Sequence, residues 1–430
     1  MTLAPTFESP TRLDQFLPEM HEPFLERASA GGTDGEGSSA LGAFLTLRFA
    51  DRAADRTPQQ IEALAYQARA TRDYLRDLPT GPEVSHLREI VRVAAVVGRR
   101  GSRHLLCAPL LAFAYWLEQE LRLEEALDVV DTARRIRDGL TASDVVATLL
   151  QRARILRLLG RFQEARVTYE TARAKAAEIG DSHSILLGRI GDAIVARQLG
   201  NLRASENTLR VIVCDAHAAG DRDAEARGSH DLGVALVFEQ RAADAIPILF
   251  SAYELYEQPT YRLRALSDLG LALTAVGHFR AAESAYRLVL EGPATPQMRA
   301  NTTLELIELA SLTRNRFAFQ QWQNAVLPLL ERLPPEFRVD YELKTGVGLA
   351  RFGRKAKARR MLQATMGRAE TFRLNEYVFR AERALASIVE EGEEAVKLAP
   401  IEWDRELPGV YRVASQLEAL FATAPSGAGV

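Results

Sequence analysis

The chain has 430 residues, 47% of them hydrophobic and 26% charged, so most of it can bury a core and it is not a disordered chain. A net charge of −3 excludes the strongly cationic surface of a general nucleic-acid or membrane-surface binder. No uninterrupted apolar run reaches the ~18–20 residues of a membrane span, so no membrane association is expected.

Residues 1–39 carry scattered prolines (Pro5, Pro10, Pro18, Pro23) and end in the Gly/Ser-rich run Gly31 to Ser39. This composition predicts a flexible leader with one short helix near Leu13–Arg27. Met1 to Pro10 shows no cationic start and no apolar core of a secretory signal. The two cysteines, Cys107 and Cys214, lie in apolar helical context and are expected as buried free thiols. Both features point to a reducing, cytoplasmic setting.

Residues 40–104 read as an N-terminal helical region. Ile61, Leu64, Ala65 and Ala68, then Tyr74, Leu75 and Leu78, recur at three- and four-residue steps, and strand-like alternation is absent. From residue 105 to 375 a two-helix unit repeats about seven times. Arg227, Asp231, Leu232, Gly233, Ala235 and Leu236 return 37 residues later as Arg264, Asp268, Leu269, Gly270, Ala272 and Leu273. A small residue in the second helix is followed four later by a larger one: Ala126/Val130, Ala165/Tyr169, Ser205/Leu209, Ala245/Leu249, Ala282/Tyr286 and Ala358/Leu362. Gln320/Asn324 takes that slot in a degenerate unit. Gly160, Gly200, Gly277 and Gly353 close first helices, and Gly233 and Gly270 are expected to face Ala245 and Ala282 where two helices cross. One helix pair cannot bury its own apolar face, so the units must stack. Residues 376–423 read as a helical C-terminal cap, with Val410, Val413, Leu417 and Phe421 on one face, and a homodimer contact there is the alternative. Residues 424–430 read as a disordered tail.

These units resemble tetratricopeptide repeats, with Leu-Gly in the first helix and Ala-x3-aromatic in the second. Their length is similar to the longer units of bacterial sensor and regulator solenoids, such as the maltose-activator and Rap phosphatase types. The resemblance implies a right-handed all-α solenoid whose first helices line a groove. DNA-binding members of that group carry a helix-turn-helix domain, and none is found here. The family's groove positions fall on Leu111, Tyr115, Arg154, Arg157, Arg197, Arg227, His230, Arg264 and Ser267. The family's Lys/Asn carboxylate clamp is not matched, since Leu150, Ile190 and His230 stand at its fifth position.

Five of those groove residues are arginines, whose planar fork suits carboxylates and phosphates. The bland alternative is that Arg227–Asp231 and Arg264–Asp268 neutralise each other as i,i+4 pairs. A second cationic candidate is the run containing Arg351, Arg354, Lys355, Lys357, Arg359 and Arg360, which has no interleaved aromatic for base stacking, so nucleic acid is disfavoured. No histidine pair or His/Cys set has metal spacing, and no nucleophile elbow occurs, so no cofactor, metal or catalysis is expected. The expected function is a non-catalytic interaction scaffold that takes a peptide or protein partner in the groove, an acidic one being what the arginines suit. The alternative is a regulatory sensor of a small peptide or anionic effector.

Overall fold

A computed structural model describes residues 20–30, 35–55, 57, 61–136, 139–330, 335–372, 374–390 and 408–423. Among the described residues there are twenty α-helices and no strand. The first four are α1 (Glu22–Ala30), α2 (Gly35–Ala54), α3 (Ile61–Asp77) and α4 (Pro82–Arg100), followed by a short 3-10 turn at Arg103–Leu106. Seven pairs come next. They are α5 (Cys107–Gln119) with α6 (Leu123–Arg135), α7 (Ala142–Leu158) with α8 (Phe162–Glu178), α9 (Ser182–Gln198) with α10 (Leu202–Ala219), and α11 (Arg222–Phe238) with α12 (Ala242–Leu255). The series continues with α13 (Pro259–Ala275) and α14 (Phe279–Glu291), α15 (Pro296–Leu312) and α16 (Arg316–Leu330), and α17 (Pro335–Arg351) and α18 (Lys355–Thr371). The last helices are α19 (Asn375–Glu390) and α20 (Pro408–Thr423). The chain forms two compact units, Met1–Ile185 and Leu186–Val430, each described below by itself.

The seven pairs share one turn. Leu121, Gly160, Gly200, Gln240, Gly277, Arg314 and Gly353 all have positive φ, between 58° and 85°. In every case the next residue's N–H reaches back five residues to a carbonyl: Arg122 to Leu117, Arg161 to Leu156, Asn201 to Ala196, Arg241 to Leu236, His278 to Leu273, Asn315 to Ala310 and Arg354 to Leu349, each at 2.9 Å. This Schellman-type closure satisfies the last carbonyls of the first helix and turns the chain into the second. Glycine marks four of the seven turns in the sequence. At the other three, the same bond holds a non-glycine residue in the left-handed region.

The small/large slots of six pairs are buried as the spacing predicts: Ala126, Val130, Ala165, Ser205, Leu209, Ala245, Leu249, Ala282, Tyr286, Ala358 and Leu362 are all sealed, and Tyr169 nearly so. The α15–α16 pair differs. Gln320 and Asn324 are exposed, and Phe319 and Gln323 are buried in their place. The slot is one residue earlier, because Phe319 fills the space beside Gly348 that glutamine would leave polar. The glycines also face other partners than expected. A Cβ at Gly233 would stand 2.5 Å from Leu249 Cγ, and one at Gly270 would stand 2.5 Å from Tyr286 Cε1. Each glycine thus seats the large residue of the next helix and not the small one. The missing Cβ is the space that the larger side chain needs.

In the first unit, α1 is anchored and is not part of a loose leader. Phe24 is buried and its ring lies 6.3 Å from that of Phe113. His21, also buried, bonds Asp128 on α6 through Nδ1 at 2.6 Å and Asp51 on α2 through Nε2 at 3.0 Å. Arg27 meets Glu83 and Glu125, both at 2.9 Å. The Gly/Ser-rich run enters helix α2 from Gly35, with Ala40 and Ala43 buried behind it. These tertiary contacts override a composition that locally favours a linker. Leu13 to Pro18 and the tail 424–430 lie outside the described residues.

In the second unit, α20 does not cover α19. It packs on α12 and α14, burying Val410, Val413, Ala414 and Leu417 against the main core cluster. Tyr411 meets His278 edge-on at 5.2 Å, and Arg287 lies over the Phe421 ring at 5.9 Å. Trp403 and the acidic residues following Glu390 lie outside the described residues. Cys107 is buried, but Cys214 is exposed, because Ile212 and Ala216 occupy the inward face of α10.

A cross-linked helix face and a cationic pocket

The expected site residues lie on the first helices of the pairs, here called A helices. In the first unit, Arg154 on α7 meets Glu118 on α5 at 2.6 Å and lies 5.7 Å above the Tyr115 ring. Gln151 donates to the Leu111 carbonyl at 3.1 Å, a second tie between the same two helices. Arg157 turns to the buried Tyr169 hydroxyl on α8.

In the second unit, Arg197 on α9 meets Asp231 on α11 at 3.3 Å and lies 5.6 Å from the Phe238 ring. His230 on α11 meets Asp268 on α13 through Nε2 at 2.8 Å and the Tyr256 hydroxyl through Nδ1 at 3.2 Å. Burial, then Asp231, raises the Tyr256 pKa, so its O–H stays protonated. Arg227 bonds Asp223 at 2.6 Å and lies 4.3 Å over the Tyr261 ring. Arg264 is half-buried on α13.

For Arg227 and Asp231 the structure corrects the expected pairing along one helix. Asp231 takes Arg197 and Asp268 takes His230, each from the preceding A helix, while Arg227 turns back to Asp223. Neighbouring A helices lie side by side, so a carboxylate on one can reach a guanidinium or an imidazole on the next. The same device recurs further on. Lys344 on α17 meets Glu305 on α15 and Asp340 on its own helix, both at 2.7 Å. Burial opposes the charge on Lys344, but Glu305, Asp340 and Glu308 overrule it and push its pKa upward. These side chains fix the spacing between successive A helices and pre-position their guanidinium, imidazole and aromatic groups.

The basic run does not form one patch. Arg351 is drawn inward, donating to Ser311 Oγ at 2.7 Å and standing 3.6 Å from Glu308. Arg354 and Lys357 border a small pocket of about 250 Å³ beside Phe352. Lys355 faces the opposite side, and Arg359 and Arg360 point outward into solvent. Successive residues of a helix diverge by about 100°, which disperses a charge run that looks continuous in sequence.

Lys355 borders a larger pocket of about 540 Å³ between α17, α18 and α19. Its cations are Lys344, Arg351, Lys355, Arg380 and Arg383, against one lining carboxylate, Glu308. Its floor is apolar, with Leu343, Val347, Leu362 and Ile388 from one core cluster. Lys344, Arg380 and Arg383 were not singled out in the sequence, and α19 falls in the stretch that reads as a cap. Among the described residues, no group of three or more His, Cys, Asp or Glu is placed to hold a metal ion. No described helix is long and apolar enough to cross a membrane.

The architecture is therefore an all-α array of tetratricopeptide-like helix pairs whose A helices are cross-linked by ion pairs. No family model and no curated protein matches the chain. Among solved structures, the chain is similar to a Rap protein complexed with competence and sporulation factor, at 13% identity over 81% of this chain and 98% of that one, with a TM-score of 0.46. It is similar to the apo form of the quorum sensor NprR from B. thuringiensis at 12% identity, over 82% and 88% of the two chains, with a TM-score of 0.44. A tetratricopeptide repeat protein from Parabacteroides merdae is similar at 14% identity, over 64% and 98%, with a TM-score of 0.40.

Proposed function

We propose that the protein is a non-catalytic interaction scaffold that binds a peptide or protein segment along the A-helix face of its second unit. One observation supports this most: Arg197, Arg227 and His230 are held in place by carboxylates and aromatic rings on neighbouring helices. A surface whose donors are ordered before binding loses little further entropy when an extended chain docks on it. An acidic partner and a cytoplasmic setting are the finer parts of this reading.

The test is selection of binders from a displayed library of random peptides on the intact protein, followed by calorimetry of the winners. Arg227→Gln with Arg264→Gln is expected to weaken the selected peptides about tenfold or more, with the helical content unchanged. Peptides that bind the double variant as tightly as the wild type refute the A-helix site.

A second reading, a sensor of a small peptide or anionic effector, is favoured by the cationic pocket between α17, α18 and α19. Compaction on ligand addition in small-angle scattering distinguishes it from a rigid scaffold.

A further inference from the structure

Among the seven pairs, α15–α16 alone has its packing slot out of register, and a pocket of about 250 Å³ opens there between α16, α17 and α18. Phe319 takes the space beside Gly348, which leaves Gln320 exposed at the pocket's edge. Departures from the packing rule of a fold gather at functional sites. Three exposed cations line this pocket: Arg316 from α16, Arg354 at the turn into α18, and Lys357 on α18. Among the described residues no carboxylate lines it, and none of the three cations forms an ion pair. Arg316 is held in place, with its guanidinium 5.6 Å from the Phe352 ring and Nη2 donating to the Phe352 carbonyl at 3.5 Å. Phe319 meets the same ring at 5.1 Å. The floor is mixed. Phe319 and Leu349 are buried in it, and so are Gln323 and Thr345, where the amide donates to the hydroxyl at 3.1 Å.

We infer that this pocket binds a phosphate monoester, with the phosphate oxygens at Arg316, Arg354 and Lys357 and a short polar substituent over Gln323 and Thr345. Three cations with no carboxylate among them call for a group with more than one negative charge, and a phosphate monoester carries about −1.5 to −2 at neutral pH. The arginine fork matches phosphate oxygens in pairs, and lysine adds a point charge. The volume is below the ~300–1,000 Å³ of drug-sized sites, which keeps the substituent short. A long aliphatic acid would bring one charge to three cations and set its chain against polar groups of the floor. None of the lining residues belongs to α9, α11 or α13, so the site goes beyond the peptide-binding reading and stands without it.

The phosphate can belong to a free metabolite or to a phosphorylated side chain, and the experiment has an arm for each. The intact protein is titrated by calorimetry with glycerol 3-phosphate, with a short phosphoserine peptide, and with succinate as a dianion without phosphorus. At least one of the two phosphates is expected to bind saturably and about tenfold or more tightly than succinate, and the tighter one names the source. Arg354→Gln and Lys357→Gln are each expected to weaken it about tenfold while circular dichroism stays unchanged. Arg359→Gln, on the same helix but directed to solvent, is expected to leave it unchanged. No binding of either phosphate, succinate as tight as the better phosphate, affinity undiminished in both pocket variants, or an equal loss in all three variants overturns the inference. The A-helix reading survives each of those results, because its own test is peptide selection against Arg227→Gln with Arg264→Gln.

Discussion

The Tyr286 ring occupies the place where a side chain on Gly270 would begin: Cε1, Cδ1 and Cζ stand 2.5, 2.9 and 2.9 Å from an ideal Cβ at that residue. Tyr286 is fully buried, with its hydroxyl 3.5 Å from Thr274 Oγ1, so the ring has nowhere to retreat. Gly270→Ala is therefore expected to destabilise. Overpacking costs about 1–3 kcal/mol, against about 1 kcal/mol gained by alanine in a helix interior. Gly367 in α18 is the matched control, because an added Cβ there meets nothing within 4 Å. Gly367→Ala is expected to raise the urea midpoint while Gly270→Ala lowers it. A Gly270→Ala protein at least as stable as wild type would refute the seating of Tyr286.

The His21 contacts make the anchoring of α1 sensitive to pH. Burial opposes the imidazolium, but Asp128 and Asp51 overrule it and raise the pKa above 6.5. A group with a raised folded pKa contributes stability that is fully present below its unfolded pKa and is lost as pH rises through the folded one. Thermal stability of the first unit is thus expected to fall as pH rises from 6 toward 9, and His21→Gln is expected to flatten that fall. Removing the partner of two partly buried aspartates should cost about 3 kcal/mol at pH 6. Parallel melting curves of wild type and variant across this range would contradict the ion-pair account.

The three non-glycine turn residues are points of strain. Gln240 and Arg314 are exposed and sit at φ of 63° and 58°, where glycine stands in four of the other turns. The left-handed conformation costs an L residue about 1–2 kcal/mol, and glycine returns part of this as unfolded-state entropy. Gln240→Gly and Arg314→Gly are each expected to stabilise by about 0.5–1 kcal/mol, read as a higher melting temperature.

Docking of α20 depends on one apolar stripe. Leu417 is fully buried against the main cluster of the second unit. Leu417→Ala is expected to cost about 2–4 kcal/mol in the attachment of this helix. Hydrogen exchange would show α20 losing protection, with α12 and α14 gaining exchange, while the α17–α18 pair keeps its rates. Uniform loss of protection across the unit would instead mean that α20 belongs to the global folding core.

Much of the repeat was legible in residue spacing. Ala165/Tyr169, Ala245/Leu249 and Ala282/Tyr286 announced the helix crossings, and Gly160, Gly200, Gly277 and Gly353 announced the turns. Leu121, Gln240 and Arg314 were not legible, because a backbone bond formed by the fold holds them there and not their own preference. Phe319 was missed for a related reason: the expected slot fell on Gln320, and only burial reveals which of two neighbours faces inward. The candidate site was less legible. Arg154, Arg197, Arg227 and His230 were legible as residues of first helices, but their partners were not. Glu118, Asp231 and Asp268 lie 34 to 38 residues away, beyond what a local pairing rule can see.

The sequence by itself determined the period, the all-helical class and which face of each helix is apolar, because those follow from spacing along one chain. Tertiary structure alone decided who faces whom. It sent Asp231 and Asp268 to neighbouring helices, scattered the run from Arg351 to Arg360 among two pockets and solvent, and laid α20 on α12 and α14. Pairings of this kind depend on distances between helices far apart in the chain, and such distances are set by packing and not by periodicity.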